Sequence, residues 1–166
     1  MNKNIITLTG FMGSGKSYVS QILAREIGYK LVDSDAEIVR RQKKYIPQIM
    51  REVGEEGFRK IEREVLQDLL SHDFLVLSVG GGAIIKNHDL LMDKSTVIFL
   101  DTDFDVCYNR IKNDKNRPLA YKKTRDQVFE VYSKRLPVYQ KNCHFAVRHE
   151  DGAQTVKKIK EFLKSY

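Results

Sequence analysis

A chain of 166 residues, 42% of them hydrophobic, has the length of one domain with a proper buried core, and it contains no apolar run near the length of a membrane span. Its start leads almost directly into an apolar run without the charged-then-apolar leader of an exported protein, so a cytoplasmic protein is expected. The surplus of 29 Lys+Arg over 22 Asp+Glu, a formal charge of +7, leaves nucleic acid, a membrane surface or a small anionic substrate open as partners.

Residues 4–9 are β-branched and apolar and read as a buried strand, while residues 18–27 carry helical spacing and stop at Gly28. Between them Gly10-Phe11-Met12-Gly13-Ser14-Gly15-Lys16-Ser17 fits G-x-x-x-x-G-K-[ST], the phosphate-binding P-loop, in the strand–loop–helix context that motif requires. Glycines let the loop wrap with its N–H groups inward, and the following helix adds free N–H groups and its positive dipole end. Gly13, Ser14, Gly15, Lys16, Ser17 and Tyr18 are therefore the expected nucleotide contacts, Lys16 reaching the β- and γ-phosphates and Ser17 offering its hydroxyl to Mg²⁺.

Strands are next expected at residues 30–32, 74–78, 96–100 and 144–147, each run preceded or followed by helix-compatible sequence. That rhythm predicts an α/β fold: a five-stranded parallel sheet with helices on both faces, three layers in all, with ligands at the carboxyl ends of the strands. One domain spanning residues 1–166 is expected, with an insertion at about 36–71 as a second binding wall and a lid at about 114–124. The insertion holds helical pieces around 36–41, 47–53 and 57–70.

The second strand runs into Asp33-Ser34-Asp35. If strand geometry persists, both carboxylates point the same way; if the chain has already turned, one faces the metal and the other the acceptor. A helix N-cap from Asp35 is the structural alternative. Farther on, Arg59 and Glu62 stand three apart on a helix, so the carboxylate can orient the guanidinium toward a pocket. Gly80-Gly81-Gly82 follows the third strand, where backbone must pass close to something, and an exposed Gly81 N–H is expected to donate to a substrate oxygen. No acidic residue ends this strand, which throws the metal-side work onto Asp33.

Cys107 and Cys143 lack CxxC spacing and read as buried thiols, and His72, His88, His144 and His149 are too scattered to suggest a metal site. The polar lid holds Asn116-Arg117-Pro118-Leu119, and Arg117 can act on a transferring phosphate when such a loop closes. Pro137 inside helical sequence predicts a kink or restart beside Arg135. Lys157, Lys158, Lys160 and Lys164 of the last helix read as a solvated face, and no aromatic and basic interleaving of a nucleic-acid reader is present.

Jointly, G-F-M-G-S-G-K-S, D-S-D, G-E-x-x-F-R-x-x-E, G-G-G-A, R-P-L and R-x-P-x-Y resemble shikimate kinase, over nearly the whole chain. The resemblance implies ATP-dependent phosphorylation of the 3-hydroxyl of shikimate by a monomer. Lys16, Ser17 and Arg117 would serve ATP and Mg²⁺, with Asp33 near the metal and Arg110 beside the base. Asp35, Arg59, Gly81 and Arg135 would hold shikimate, Asp35 orienting or deprotonating the attacking hydroxyl. Two departures stand out: no glycine flanks Arg117, and Arg148-His149-Glu150-Asp151-Gly152 lacks the proline usual in the family's adenine-binding loop. A gluconate or nucleoside-monophosphate kinase, and a nucleotide-dependent module binding nucleic acid, are the competing readings.

Overall fold

A computed structural model describes residues 4–115 and 117–166; Asn116 of the expected lid, and the side chains of Pro118 and Leu119, lie outside the described residues. In chain order the elements are β1 (Ile5–Thr9), α1 (Lys16–Ile27), β2 (Lys30–Asp33), α2 (Ser34–Gln42), α3 (Ile46–Leu69), β3 (Leu75–Ser78) and α4 (Ala83–Lys94). There follow β4 (Thr96–Asp101), α5 (Phe104–Ile111), α6 (Pro118–Tyr121), α7 (Arg125–Lys141), β5 (Phe145–Arg148) and α8 (Gly152–Ser165).

The strands pair in the order β2-β3-β1-β4-β5, and every pairing is parallel. Alternate residues serve opposite faces, as strand geometry demands. Ile5, Leu75, Leu77, Val97 and Phe99 pack into the core shared with α3, α4, α5 and α7; Ile6, Leu8, Val76, Ile98 and Leu100 pack with α1 and α8. Burial on both faces is why the central strands are apolar at nearly every position rather than at every second one. Since β1 lies between β3 and β4, the chain leaves β1 at the point where the order of connections reverses, and a crevice opens there at the carboxyl ends of the strands.

The expected three-layer architecture is the one found, with three local corrections. Phe74 is not in β3: it takes a left-handed backbone (φ 55°) while its ring meets Tyr29 edge-on at 5.4 Å and its carbonyl accepts from Lys30. The expected helical pieces at 47–53 and 57–70 are both present within α3 and meet at a kink at Gly54, whose φ of 73° and ψ of 177° are not helical. Helix α7 runs on through Pro137 with no restart. Pro137 and Ser133, whose carbonyl loses its helical donor, are both solvent-exposed, while buried Val128 and Tyr139 hold the helix on either side. Of the two thiols, Cys107 is buried as expected but Cys143, at the end of α7, is only half-buried.

Candidate active site

The P-loop wraps from β1 into α1 through Gly13 and Gly15, at φ 78° and 95°. A Cβ at Gly13 would stand 2.7 Å from the Cys107 carbonyl, so the close approach of α5 excludes any side chain there. Side chains brace the loop from outside: Thr102 Oγ1 donates to Ser14 O (2.8 Å) and Arg110 Nη1 donates to Gly13 O (2.9 Å). Helix α1 begins with no side-chain cap and no acidic residue in its first turn, leaving its N–H groups and dipole for an external anion. Lys16 Nζ lies across the loop, donating to Gly10 O (2.7 Å) and Phe11 O (2.9 Å). Burial, with Arg117 as the next cause, pulls the Lys16 ammonium down to about 8.

Asp33 ends β2 and caps α2, its Oδ1 accepting from Ala36 N at 2.9 Å, so the N-cap is Asp33 and not Asp35. The chain has already turned at Ser34. Asp33 therefore lines the P-loop cavity along with Ser17, and Asp35, in the first turn of α2, lines both that cavity and its neighbour. Desolvation, then the charges of Asp33 and Glu62, push the Asp35 carboxyl up to about 6 against the pull of Lys16 and Arg117.

On the far side Arg59 rises from α3, its Nη1 held by both oxygens of Glu62 at 2.8 and 2.9 Å. Glu62 is 1% exposed, and burial pushes its carboxyl up even with the guanidinium beside it. Asn87 of α4 completes the clamp, its Nδ2 donating to Glu62 Oε1 (3.1 Å) and to Ala83 O (3.0 Å). The glycine triplet explains itself against these side chains. A Cβ at Gly80 would stand 2.7 Å from Asp35 Oδ1; one at Gly82 would stand 2.7 Å from Arg59 Nη2 and 3.4 Å from Arg135 Nη2. Gly81 packs on the P-loop backbone at Met12 N and Gly10 O, and its carbonyl accepts from Tyr139 OH at 2.5 Å. Burial pushes that phenol up to about 12.

Two cavities result. One, of about 430 Å³, is lined by residues 13–18 of the P-loop with Asp33, Arg110 and His149; the other, of about 170 Å³, by Met12, Ile46, Phe58, Arg59, Glu62, Gly82 and Arg135. Asp35, Gly80, Gly81 and Arg117 line both. Arg117 opens α6, 46% exposed, its Nε donating to Asp114 Oδ2 at 3.2 Å. Every site residue expected from the sequence thus lies on one cavity or the other. Sequence reasoning took Gly80 and Gly82 only as parts of the glycine triplet, gave His149 no role at the site, and did not single out Asn87. For Asn87 the available signal was a polar residue at a core position of α4, and for His149 its place just after the last strand.

Among the described residues no three His, Cys, Asp or Glu side chains are grouped to hold a metal. Ser17 and Asp33 on one cavity wall are nonetheless the hard oxygen donors that suit Mg²⁺, which takes few protein ligands beside phosphate and water.

A family model described as shikimate kinase matches residues 12–164. A shikimate kinase of Persephonella marina is 39% identical over 157 residues, covering 93% of this chain and 95% of the relative. One from Aquifex aeolicus is 38% identical, covering 96% and 94%. Among solved structures, shikimate kinase from Acinetobacter baumannii in complex with shikimate superposes with a TM-score of 0.92 at 34% identity, covering 98% of this chain and 93% of that one. A gluconokinase from Sinorhizobium meliloti, at 18% identity, TM-score 0.61 and coverages of 98% and 93%, shares the fold alone. With a family match over nearly its whole length and relatives above 30% identity, this chain belongs to the shikimate kinase family.

Proposed function

We propose that the two joined cavities hold ATP and shikimate side by side, and that this chain carries out its family's reaction there. That reaction is ATP-dependent phosphorylation of the 3-hydroxyl of shikimate to give shikimate 3-phosphate, a step toward chorismate and the aromatic amino acids. The observation that carries this reading is the shared wall of Asp35, Gly80, Gly81 and Arg117, which puts phosphate-binding and arginine-lined cavities in contact at one point.

In this reading the P-loop N–H groups, Lys16, Tyr18 and Arg110 bind ATP. Arg59 and Arg135 take the shikimate carboxylate, and Asp35 with the Gly81 N–H takes its hydroxyls. The 3-hydroxyl oxygen attacks the γ-phosphorus in line; the new O–P bond forms as the bond to the β–γ bridging oxygen breaks, and ADP leaves. Asp35 orients the hydroxyl and receives its proton, a task suited to a carboxyl near pH 6, which is ionised at neutral pH yet more basic than an exposed aspartate. Lys16 and Arg117 meet the charge on the transferring group. Ser17 and Asp33 would hold Mg²⁺, which when bound neutralises part of the triphosphate charge. The chain acts as a single domain and as a monomer in the cytoplasm, with the α2–α3 segment as substrate wall and the segment around α6 closing over the phosphates. Among the described residues no helix is long and apolar enough to cross a membrane.

Releasing ADP in parallel assays with shikimate, gluconate and the nucleoside monophosphates tests the reading. Turnover is expected with shikimate; turnover confined to either competitor would overturn it.

A further inference from the structure

Tyr139 is fully buried on α7 and lines neither cavity, yet its hydroxyl reaches the wall they share. Its ring stacks on Phe99 of β4, centroids 5.3 Å apart, and its OH stands 2.5 Å from the carbonyl oxygen of Gly81. A carbonyl can only accept, so the phenol hydrogen lies between the two oxygens and Tyr139 donates. Burial pushes the phenol up to about 12, so that hydrogen stays in place near neutral pH.

With its hydrogen committed to Gly81, the phenol oxygen keeps its lone pairs for a second donor. Arg135 stands one turn earlier on the same helix, at a contact spacing, and its guanidinium opposes the effect of burial on the phenol, first by its charge and then by hydrogen bonding. Arg135 in turn lies along the glycine triplet: a Cβ on Gly81 would stand 3.7 Å from its Nη1, and one on Gly82 3.4 Å from its Nη2. The triplet needs outside support. Consecutive glycines carry no side chains to restrict their torsions, so a peptide plane among them turns unless its neighbours hold it. The P-loop supplies one hold, where a Cβ on Gly81 would stand 3.3 Å from Met12 N, and Tyr139 supplies another at the carbonyl oxygen.

Taking the second cavity as the shikimate site, we propose that Tyr139 is a positioning residue for it: one buried hydroxyl holds the Gly81 peptide and the Arg135 guanidinium in the directions that receive substrate, without itself touching substrate.

The test is shikimate titration, with ADP and Mg²⁺ titrated alongside, of the wild type, Tyr139→Phe, Val128→Ala, Arg59→Ala, Arg135→Ala and the double variant of Arg135→Ala with Tyr139→Phe. Tyr139→Phe keeps the ring and removes only the hydroxyl. It should weaken shikimate binding about five- to tenfold and raise the KM for shikimate in proportion, with kcat and ADP binding little changed. Val128→Ala truncates another fully buried residue of α7 that lines neither cavity, so it should lose stability to urea yet keep wild-type shikimate binding. Part of the hydroxyl's effect passes through Arg135, so the phenylalanine penalty should shrink in the Arg135→Ala background, leaving the share that acts on Gly81. Wild-type shikimate affinity in Tyr139→Phe, the same weakening in Val128→Ala, or a penalty undiminished without Arg135 would each overturn the proposal. Arg59→Ala separates the two levels: shikimate binding as tight as in the wild type there would instead show that the cavity is not the shikimate site.

Discussion

Asp35 carries a conflict on which the proposed reaction depends. Folding places its carboxyl where water is scarce and where Asp33 and Glu62 are near, and Lys16 and Arg117 only partly compensate, so its pKa rises from an ordinary 3.8 to about 6. Well below its unfolded pKa of 3.8 the group is protonated in both folded and unfolded chains and imposes no penalty. As pH rises through about 6 the folded state must accept a desolvated charge that the unfolded chain carries freely, and stability falls. Asp35→Asn removes that charge. It should therefore be more stable than the wild type by about 3 kcal/mol at pH 7.5 and equally stable near pH 3, while turnover drops by about a hundredfold or more. Urea denaturation at the two pH values, with turnover measured alongside, checks both halves. An asparagine variant no more stable at pH 7.5 would show that Asp35 carries no such penalty.

At the scale of elements, the two arginines that look alike in sequence are mounted differently. Arg59 stands on the long helix α3, 18% exposed, with Glu62 and behind it Asn87 fixing its direction before any substrate arrives. Arg117 stands at the head of the four-residue α6, 46% exposed, its guanidinium paired with Asp114 at 3.2 Å. A fixed arginine contributes equally to ground and transition states, so Arg59→Ala should chiefly raise the KM for shikimate, by about tenfold. An arginine that meets the phosphoryl group on closure contributes mainly in the transition state, so Arg117→Ala should chiefly lower kcat, by about a hundredfold, with shikimate binding nearly intact. Shikimate titrations and saturation kinetics on both variants decide this; the opposite pattern would mean that the roles are exchanged. The pairing of Arg59 with Glu62 was readable because three residues along a helix is a contact distance. Asn87 was not, because it reaches Glu62 across 25 residues of chain, and spacing says nothing about partners brought together by packing.

Across the whole molecule, what could be read from sequence was what local chemistry decides: strand runs buried on both faces, the P-loop, and carboxylates and glycines at strand ends. What could not be read depended on tertiary support, as with α7 continuing through Pro137, Phe74 turning back onto Tyr29, and Tyr139 donating from α7 to the Gly81 carbonyl. The crevice itself is also a property of the whole fold, and one cause acts there in two directions. Desolvation disfavours charge of either sign, so the same burial that pushes Asp35 up to about 6 pulls Lys16 down to about 8. On the roles proposed above, the reaction needs Asp35 ionised and Lys16 protonated, a combination present between those values. The profile of kcat/KM against pH, which reports the free enzyme, should therefore be bell-shaped, with its acid limb near pH 6 and its alkaline limb near pH 8. Bound phosphates favour the charged lysine and raise its pKa, so the alkaline limb of kcat, which reports the complex, should lie at higher pH than that of kcat/KM for ATP. Steady-state kinetics from about pH 5 to pH 9.5 with each substrate varied in turn would measure both profiles. A kcat/KM that stays flat down to pH 5 would remove Asp35 as the proton acceptor, and coincident alkaline limbs would show that Lys16 does not meet the nucleotide's charge.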